Sequence, residues 1–428
     1  MTSAFLATQV VIVGTAFLNM DFTLFMSTDH ISSTARASML SSLFPILVIA
    51  GLAMTLRPTI TSTGPLLTEI RLSTAMGLQA ASLLVVLPML CMGIFPLLLP
   101  WIGRRFSESA WITGGLFAIA LASLWRLWLD TGGMLIASAL IGGTGIAIVQ
   151  AMAPGVVKRW YPARVPLAMG VYSAALMTGG GVAAILSPVV AQHYGSWQSG
   201  LGIWLVVPVF ALVLWWRRPS EQMENRDDGV RINFFGNRRA WLLASYFGLA
   251  NAGYACMIAW LPSYAQTLGW SAQSSGELIG IMTIFQVIGA LVIPILSAHR
   301  LDRRAWLFFA VGIQIAGFIG LITMPTALLI LWIALIGCGL GACFSLTLTV
   351  ALDHLSKPKL AGALAAFVQG IGFIITAIAP YIAGVLREST GSFQAVWWML
   401  LISLIGMLFV TIKFAPASYH QAINLPKL

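Results

Sequence analysis

Beyond residue 40 the chain repeats one pattern, an apolar run of about 20 residues followed by a short polar break, and a run of that length in a helix crosses a bilayer. The runs fall at 41–67, 76–100, 109–129, 133–157, 166–191, 200–216, 241–264, 276–298, 305–323, 327–351, 361–386 and 393–414. They predict an all-α membrane protein of twelve transmembrane helices. Gly and Pro recur inside the runs, which membrane helices tolerate where a neighbour or a cavity satisfies the freed backbone groups. The long polar stretch 217–239 has six runs on either side. The expected organisation is therefore a six-helix bundle over 39–216, a linker over 217–239 and a second bundle over 240–428. Residues 1–38 form an N-terminal extension. Its stretch from Phe5 to Met26 is apolar enough to span but carries Asn19 and Asp21, so it reads either as an extra helix or as a segment outside the core. The linker lies nearer the midpoint of 39–428 than that of 1–428, which favours the second.

The two halves echo each other. Gly51-Leu52-Ala53 recurs as Gly248-Leu249-Ala250, and Pro65 recurs as Pro262 at the same offset. Gly143 and Gly145 are matched by Gly339 and Gly341, and Gly180 and Pro188 by Gly372 and Pro380. Such echoes fit two pseudo-symmetric bundles with a substrate site between them at the membrane midplane.

Composition excludes soluble classes: 59% of residues are apolar and 8% charged, against roughly 25% charged in soluble domains. The net charge of +10 would suggest nucleic acid if it were clustered on one face. Instead the cations occupy every second break: Arg104-Arg105, Lys158-Arg159 with Arg164, six arginines in 217–239, Arg300 with Arg303-Arg304, Lys357 with Lys359, and Lys413. Loops rich in Lys and Arg stay cytoplasmic, so both ends of the twelve-helix core are expected in the cytoplasm, and no nucleic-acid partner. Cys91, Cys256, Cys338 and Cys343 all lie in apolar runs without metal-ligand spacing, which implies neither disulfide, metal nor cofactor. Trp125, Trp128, Trp397 and Trp398 read as interfacial belts.

Arg57 carries the candidate chemistry. It lies inside the first run, with no acidic residue between Asp29 and Glu69. A charge deep in a membrane helix faces a cavity or a partner, and a cation lacking a countercharge points to a small anionic or strongly polar substrate. Helix spacing puts Thr61 and Gly64 on the face of Arg57, and Pro58 and Pro65 weaken the helix there. The Gly-Leu-Ala echo makes Tyr254 the counterpart of Arg57 in the second half, with Asn251 one turn away. Gln150 and Gln369 are the other polar side chains well inside apolar runs. Each amide serves either as a ligand contact or as interhelical glue, and Tyr254 either binds substrate or packs. Arg126 and Asp130, four residues apart, are expected to form a local ion pair near the outer face. Glu69, Glu277 and Glu388 fall near the outer ends of runs and Asp353 near an inner end, so no carboxylate relay is visible mid-membrane. An embedded enzyme would need a nucleophile–base pair or a metal cluster, and a receptor would bring a signalling domain larger than this linker. Transport by a functional monomer, in contact with lipid and a small solute, is the remaining reading.

The plan resembles the major facilitator superfamily, though its loop motif G-x-x-x-D-R-x-G-R-R is reduced here to Gly103-Arg104-Arg105, with Pro100 in the Asp place. In the second half Arg303-Arg304 persist with His299 in that place, and Ala139 stands where proton-coupled members commonly carry Arg. A closer likeness lies in Leu56-Arg57-Pro58-Thr59-Ile60-Thr61-Ser62-Thr63-Gly64-Pro65, Gly145 to Pro154 with Lys158-Arg159, and Tyr172 to Gly181. It continues through Tyr246 to Tyr254 with Trp260 and Pro262, Asp353-His354, and Phe367-Val368-Gln369-Gly370 with Pro380. These blocks resemble the bacterial cyanate transporter family. The resemblance implies an inner-membrane secondary transporter for cyanate or a similar small anion. Because similar proteins export 2-nitroimidazole, export of such small polar drugs is the alternative it carries.

Overall fold

The computed structural model describes residues 33–102, 106–161, 165–218, 234–297, 299–355 and 358–419. The stretch from Phe5 to Met26 lies outside them. Met1–Pro45 and Ile46–Leu428 are separate compact units, and helix Ser33–Met54 begins before the expected boundary at 38/39. Twelve helices are long and apolar enough to cross a membrane. They are α1 (Phe44–Thr74), α2 (Leu78–Leu99), α3 (Glu108–Trp128), α4 (Gly132–Trp160), α5 (Ala168–Tyr194), α6 (Trp197–Trp216), α7 (Arg238–Thr267), α8 (Ala272–Ser297), α9 (Arg304–Thr323), α10 (Leu329–Asp353), α11 (Leu360–Thr390) and α12 (Gln394–Ile412). Each contains one of the twelve apolar runs or overlaps it over most of its length.

Local chemistry sets the ends. Side chains of Ser107, Thr131 and Asn237 accept from the backbone N–H groups of Ala110, Met134 and Ala240, capping the starts of α3, α4 and α7. On the face away from the linker, turns of a few residues join consecutive helices. Left-handed residues reverse the chain there: Gly195, Gly269 and Gly391, and at a steric penalty Ala75 and Leu328.

Pairing of helices is the same in both halves. In the first, α1 packs on α5, α2 and α3 on α4, and α3 on α6; in the second, α7 packs on α11, α8 and α9 on α10, and α9 on α12. The repeated glycines serve this pairing. Gly143 and Gly145 lie against Pro88 of α2 and Gly115 of α3, while Gly341 and Gly339 lie against Gln286 of α8 and Gln314 of α9. Thr61 donates to the Gly180 carbonyl between α1 and α5, and Thr376 donates to the Gly248 carbonyl between α11 and α7. The halves meet through α2 on α11, α5 on α8, and α1 on α7, a set that maps onto itself when the halves are exchanged. Outward on α3, α6, α9 and α12, large apolar side chains such as Phe117, Phe210, Phe309 and Phe409 are exposed, as a lipid-facing surface requires.

Candidate functional site

The α1 helix breaks where Arg57 sits. Helix Ser33–Met54 ends with Thr55 and Leu56 donating only three residues back, to Leu52 and Ala53. Pro58 lacks the N–H that would continue the ladder to the Met54 carbonyl, which lies against Gly179 instead. Arg57 adopts φ −112° and ψ −31°, and one short turn, Pro58–Thr61, precedes the last helix, Thr63–Thr74. The break aims Arg57 out of the helix at the boundary between halves. Gly180 makes room for it, since a Cβ there would lie 3.1 Å from the Arg57 Cβ.

Arg57 is 5% exposed. Its Nε and Nη1 make no hydrogen bond among the described residues, and none of the ion pairs among them includes it. Its Cζ lies 5.4 Å from the centre of the Tyr254 ring, within range of a cation–π contact. The pseudo-symmetric counterparts thus face each other across the boundary. Tyr172 of α5, buried and with a hydroxyl that makes no hydrogen bond among the described residues, stands within electrostatic reach of the same guanidinium. Gln150 of α4 is half-buried, and its Oε1 also makes no hydrogen bond among the described residues.

The other candidates are arranged differently. The Thr61 hydroxyl donates to the carbonyl of Gly180 at 2.8 Å, so its proton is engaged within the first half. Asn251 donates to the Phe247 carbonyl one turn back. Gln369 is half-buried next to Gly370, at the α2–α11 contact. Gly64 packs against the Ile258 carbonyl of α7 and belongs to the join between halves. In the sequence Tyr172 stands out only as part of a block that resembles the family; its place on α5 beside the break in α1 comes from the tertiary structure.

One expectation is overturned. Asp130 is exposed at the end of α3, and Arg126 turns away from it, fully buried. Arg126 donates from Nη1 to the Thr59 carbonyl at 2.8 Å and from Nε to the Ser138 hydroxyl at 3.1 Å. The i, i+4 rule assumes a continuing helix, whereas the helix ends at Trp125 and a tight turn follows, rotating the side chain inward.

Among the described residues no group of three His, Cys, Asp or Glu side chains could hold a metal. At the boundary the structure brings together the Arg57 guanidinium, whose Nε and Nη1 make no hydrogen bond among the described residues, and the phenols of Tyr254 and Tyr172. Twelve membrane-length helices in two halves with the same pairing, meeting around a buried cation, have the construction of a membrane transporter.

Residues 4–377 match the profile of the Major Facilitator Superfamily. The cyanate transport protein CynX of Escherichia coli (strain K12) is 42% identical over 380 residues, covering 88% of this chain and 98% of that protein. The 2-nitroimidazole transporter of the same organism is 31% identical over 382 residues, covering 85% and 94%. The crystal structure of a D-xylose–proton symporter superposes with a TM-score of 0.73 at 13% identity, over 90% of this chain and 100% of that one, a likeness of fold alone. The chain belongs to the Major Facilitator Superfamily and, within it, to the cyanate transporter family.

Proposed function

We propose that the protein carries cyanate, or another small monovalent anion, across the bacterial inner membrane by alternating access. The observation that supports this best is Arg57, a buried cation whose Nε and Nη1 make no hydrogen bond among the described residues and which faces Tyr254 across the boundary between halves. One monoanion there neutralises the guanidinium and receives its hydrogen bonds, each worth about 1.5–3 kcal/mol when one partner is charged. The name of the 42% identical relative points to the same substrate class. Arg57, Tyr254, Tyr172 and Gln150 are assigned to the anion, Asn251 and Gln369 to its surroundings, and Thr61 holds the arginine's turn in place through the Gly180 carbonyl.

The linker face is assigned to the cytoplasm, because the basic breaks lie on it. The single chain supplies both halves of the site, so a monomer suffices. The decisive experiment is uptake into proteoliposomes of cyanate, nitrate, bicarbonate and small carboxylates by wild type and R57A. Arginine-dependent flux of an anion supports the reading, and equal flux through both proteins refutes it.

A second reading has its own support in the 31% identical 2-nitroimidazole transporter. Guanidinium donors also serve a neutral nitro group. In that case 2-nitroimidazole, and none of the anions, stabilises the wild type and requires Arg57.

A further inference from the structure

Among the described residues Arg126 is a second buried arginine that takes part in no ion pair. It is 0% exposed and sits in the turn that ends α3. Two of its donors are engaged: Nη1 with the Thr59 carbonyl, and Nε with the Ser138 hydroxyl, which in turn donates to the Leu135 carbonyl. Its Nη2 makes no hydrogen bond among the described residues.

A buried charge without a counterion is a poor way to stabilise a fold, since well-packed apolar side chains do as well or better. The geometry shows what the charge is aimed at. Thr59 lies in the single turn Pro58–Thr61, two residues beyond Arg57, where the helix ladder of α1 is interrupted. That turn is held from three sides: by Thr61 on the Gly180 carbonyl of α5, by the Thr59 methyl against Gly142 of α4, and by Arg126 from the end of α3. The first two are a single hydroxyl bond and an apolar contact; Arg126 brings a charge-assisted bond to the backbone itself.

We propose that Arg126 is a positioning residue, which fixes the hinge turn of α1 through the Thr59 carbonyl and so holds the Arg57 guanidinium in its anion-binding orientation. The proposal rests on the reading of Arg57 as the substrate cation. A pre-set guanidinium gains affinity because less ordering remains to be done on binding. Lys at 126 retains a charged donor on a nearly equal reach, Gln falls short of the carbonyl, and Met removes the donor.

The test uses the full chain in nanodiscs with two readouts, hydrogen–deuterium exchange of the peptide covering 55–63 without ligand, and binding of potassium cyanate and sodium nitrate. In R126M and R126Q the peptide should exchange about tenfold faster than in wild type. Anion affinity should fall about tenfold in the same two variants. Their unliganded melting temperatures should not fall, and R126K should restore both readouts most of the way. Should R126M fail to accumulate, R126Q carries the test. Unchanged exchange in R126Q, or unchanged anion affinity despite faster exchange, overturns the proposal, as does a lower melting temperature with wild-type affinity. If wild type binds neither anion, the reading of Arg57 fails while the exchange result still decides whether Arg126 holds the turn.

Discussion

The guanidinium carbon of Arg57 stands 5.4 Å from the centre of the Tyr254 ring, so a cation of α1 and a phenol of α7 share the boundary between the two bundles. Any anion bound to Arg57 must then touch both halves or lie beside the second. That is what a carrier needs if substrate is to change how its halves fit together.

Replacing Arg57 by Ala should abolish anion binding and leave a folded protein, because removing a buried cation relieves a desolvation penalty. R57K should keep little activity, since Lys lacks the planar fork of donors. A thermal-shift screen of both variants checks this: a ligand that stabilises wild type by mass action should leave R57A unmoved.

The tyrosines can be separated by single atoms. Y254F and Y172F keep their rings and lose their hydroxyls. If both hydroxyls donate to a bound anion, each change should weaken affinity by about 1.5–3 kcal/mol with little effect on expression. Isothermal titration of the two variants provides the measurement. An unaltered affinity assigns that tyrosine to packing.

Gln266 joins the halves away from the linker. Its Nε2 donates to the Pro65 carbonyl at 3.0 Å and to Ser275 at 3.1 Å, while its Oε1 accepts from Thr68 at 2.5 Å. Thr68 and Pro65 belong to the first half, and Gln266 and Ser275 to the second. Q266A removes two bonds across the boundary, each worth about 0.5–1.5 kcal/mol, and should shift the population towards opening on that face. Spin-label distances between the outer ends of α1 and α7 should lengthen in Q266A. An unchanged distribution would assign the glutamine to local packing.

The dependence on pH should be flat. No ion pair among the described residues joins Arg57 to a carboxylate that could titrate with the bound anion. Nitrate affinity should therefore be constant from about pH 5.5 to about pH 8.5, a range in which histidine is the ordinary titrating side chain. Titration calorimetry in buffers of different ionisation heat would expose any proton taken up with the anion, and uptake would return attention to Glu69.

Much of this protein was written in its one-dimensional pattern. A bilayer allows backbone to cross only with its polar groups satisfied internally, so each apolar run had to be a helix, and the twelve runs gave twelve helices. A cation in an apolar run is informative for the same reason, which made Arg57 visible, and the Gly-Leu-Ala echo pointed to Tyr254 across the axis. Tertiary structure decided what depends on direction. The interruption at Pro58 turned Arg57 towards the boundary, and Gly180 opened the space beside it. Thr61 and Asn251, which share the polarity of site residues, were drawn into bonds with backbone carbonyls. Tyr172 came beside Arg57 from α5, a helix distant in sequence. Arg126 shows the limit most clearly: sequence spacing paired it with Asp130, but the end of the helix at Trp125 sent its side chain to Thr59. Hydrophobicity is a property of each residue and survives in a string of letters, whereas the orientation of a buried polar side chain depends on where a helix stops and which neighbour leaves room.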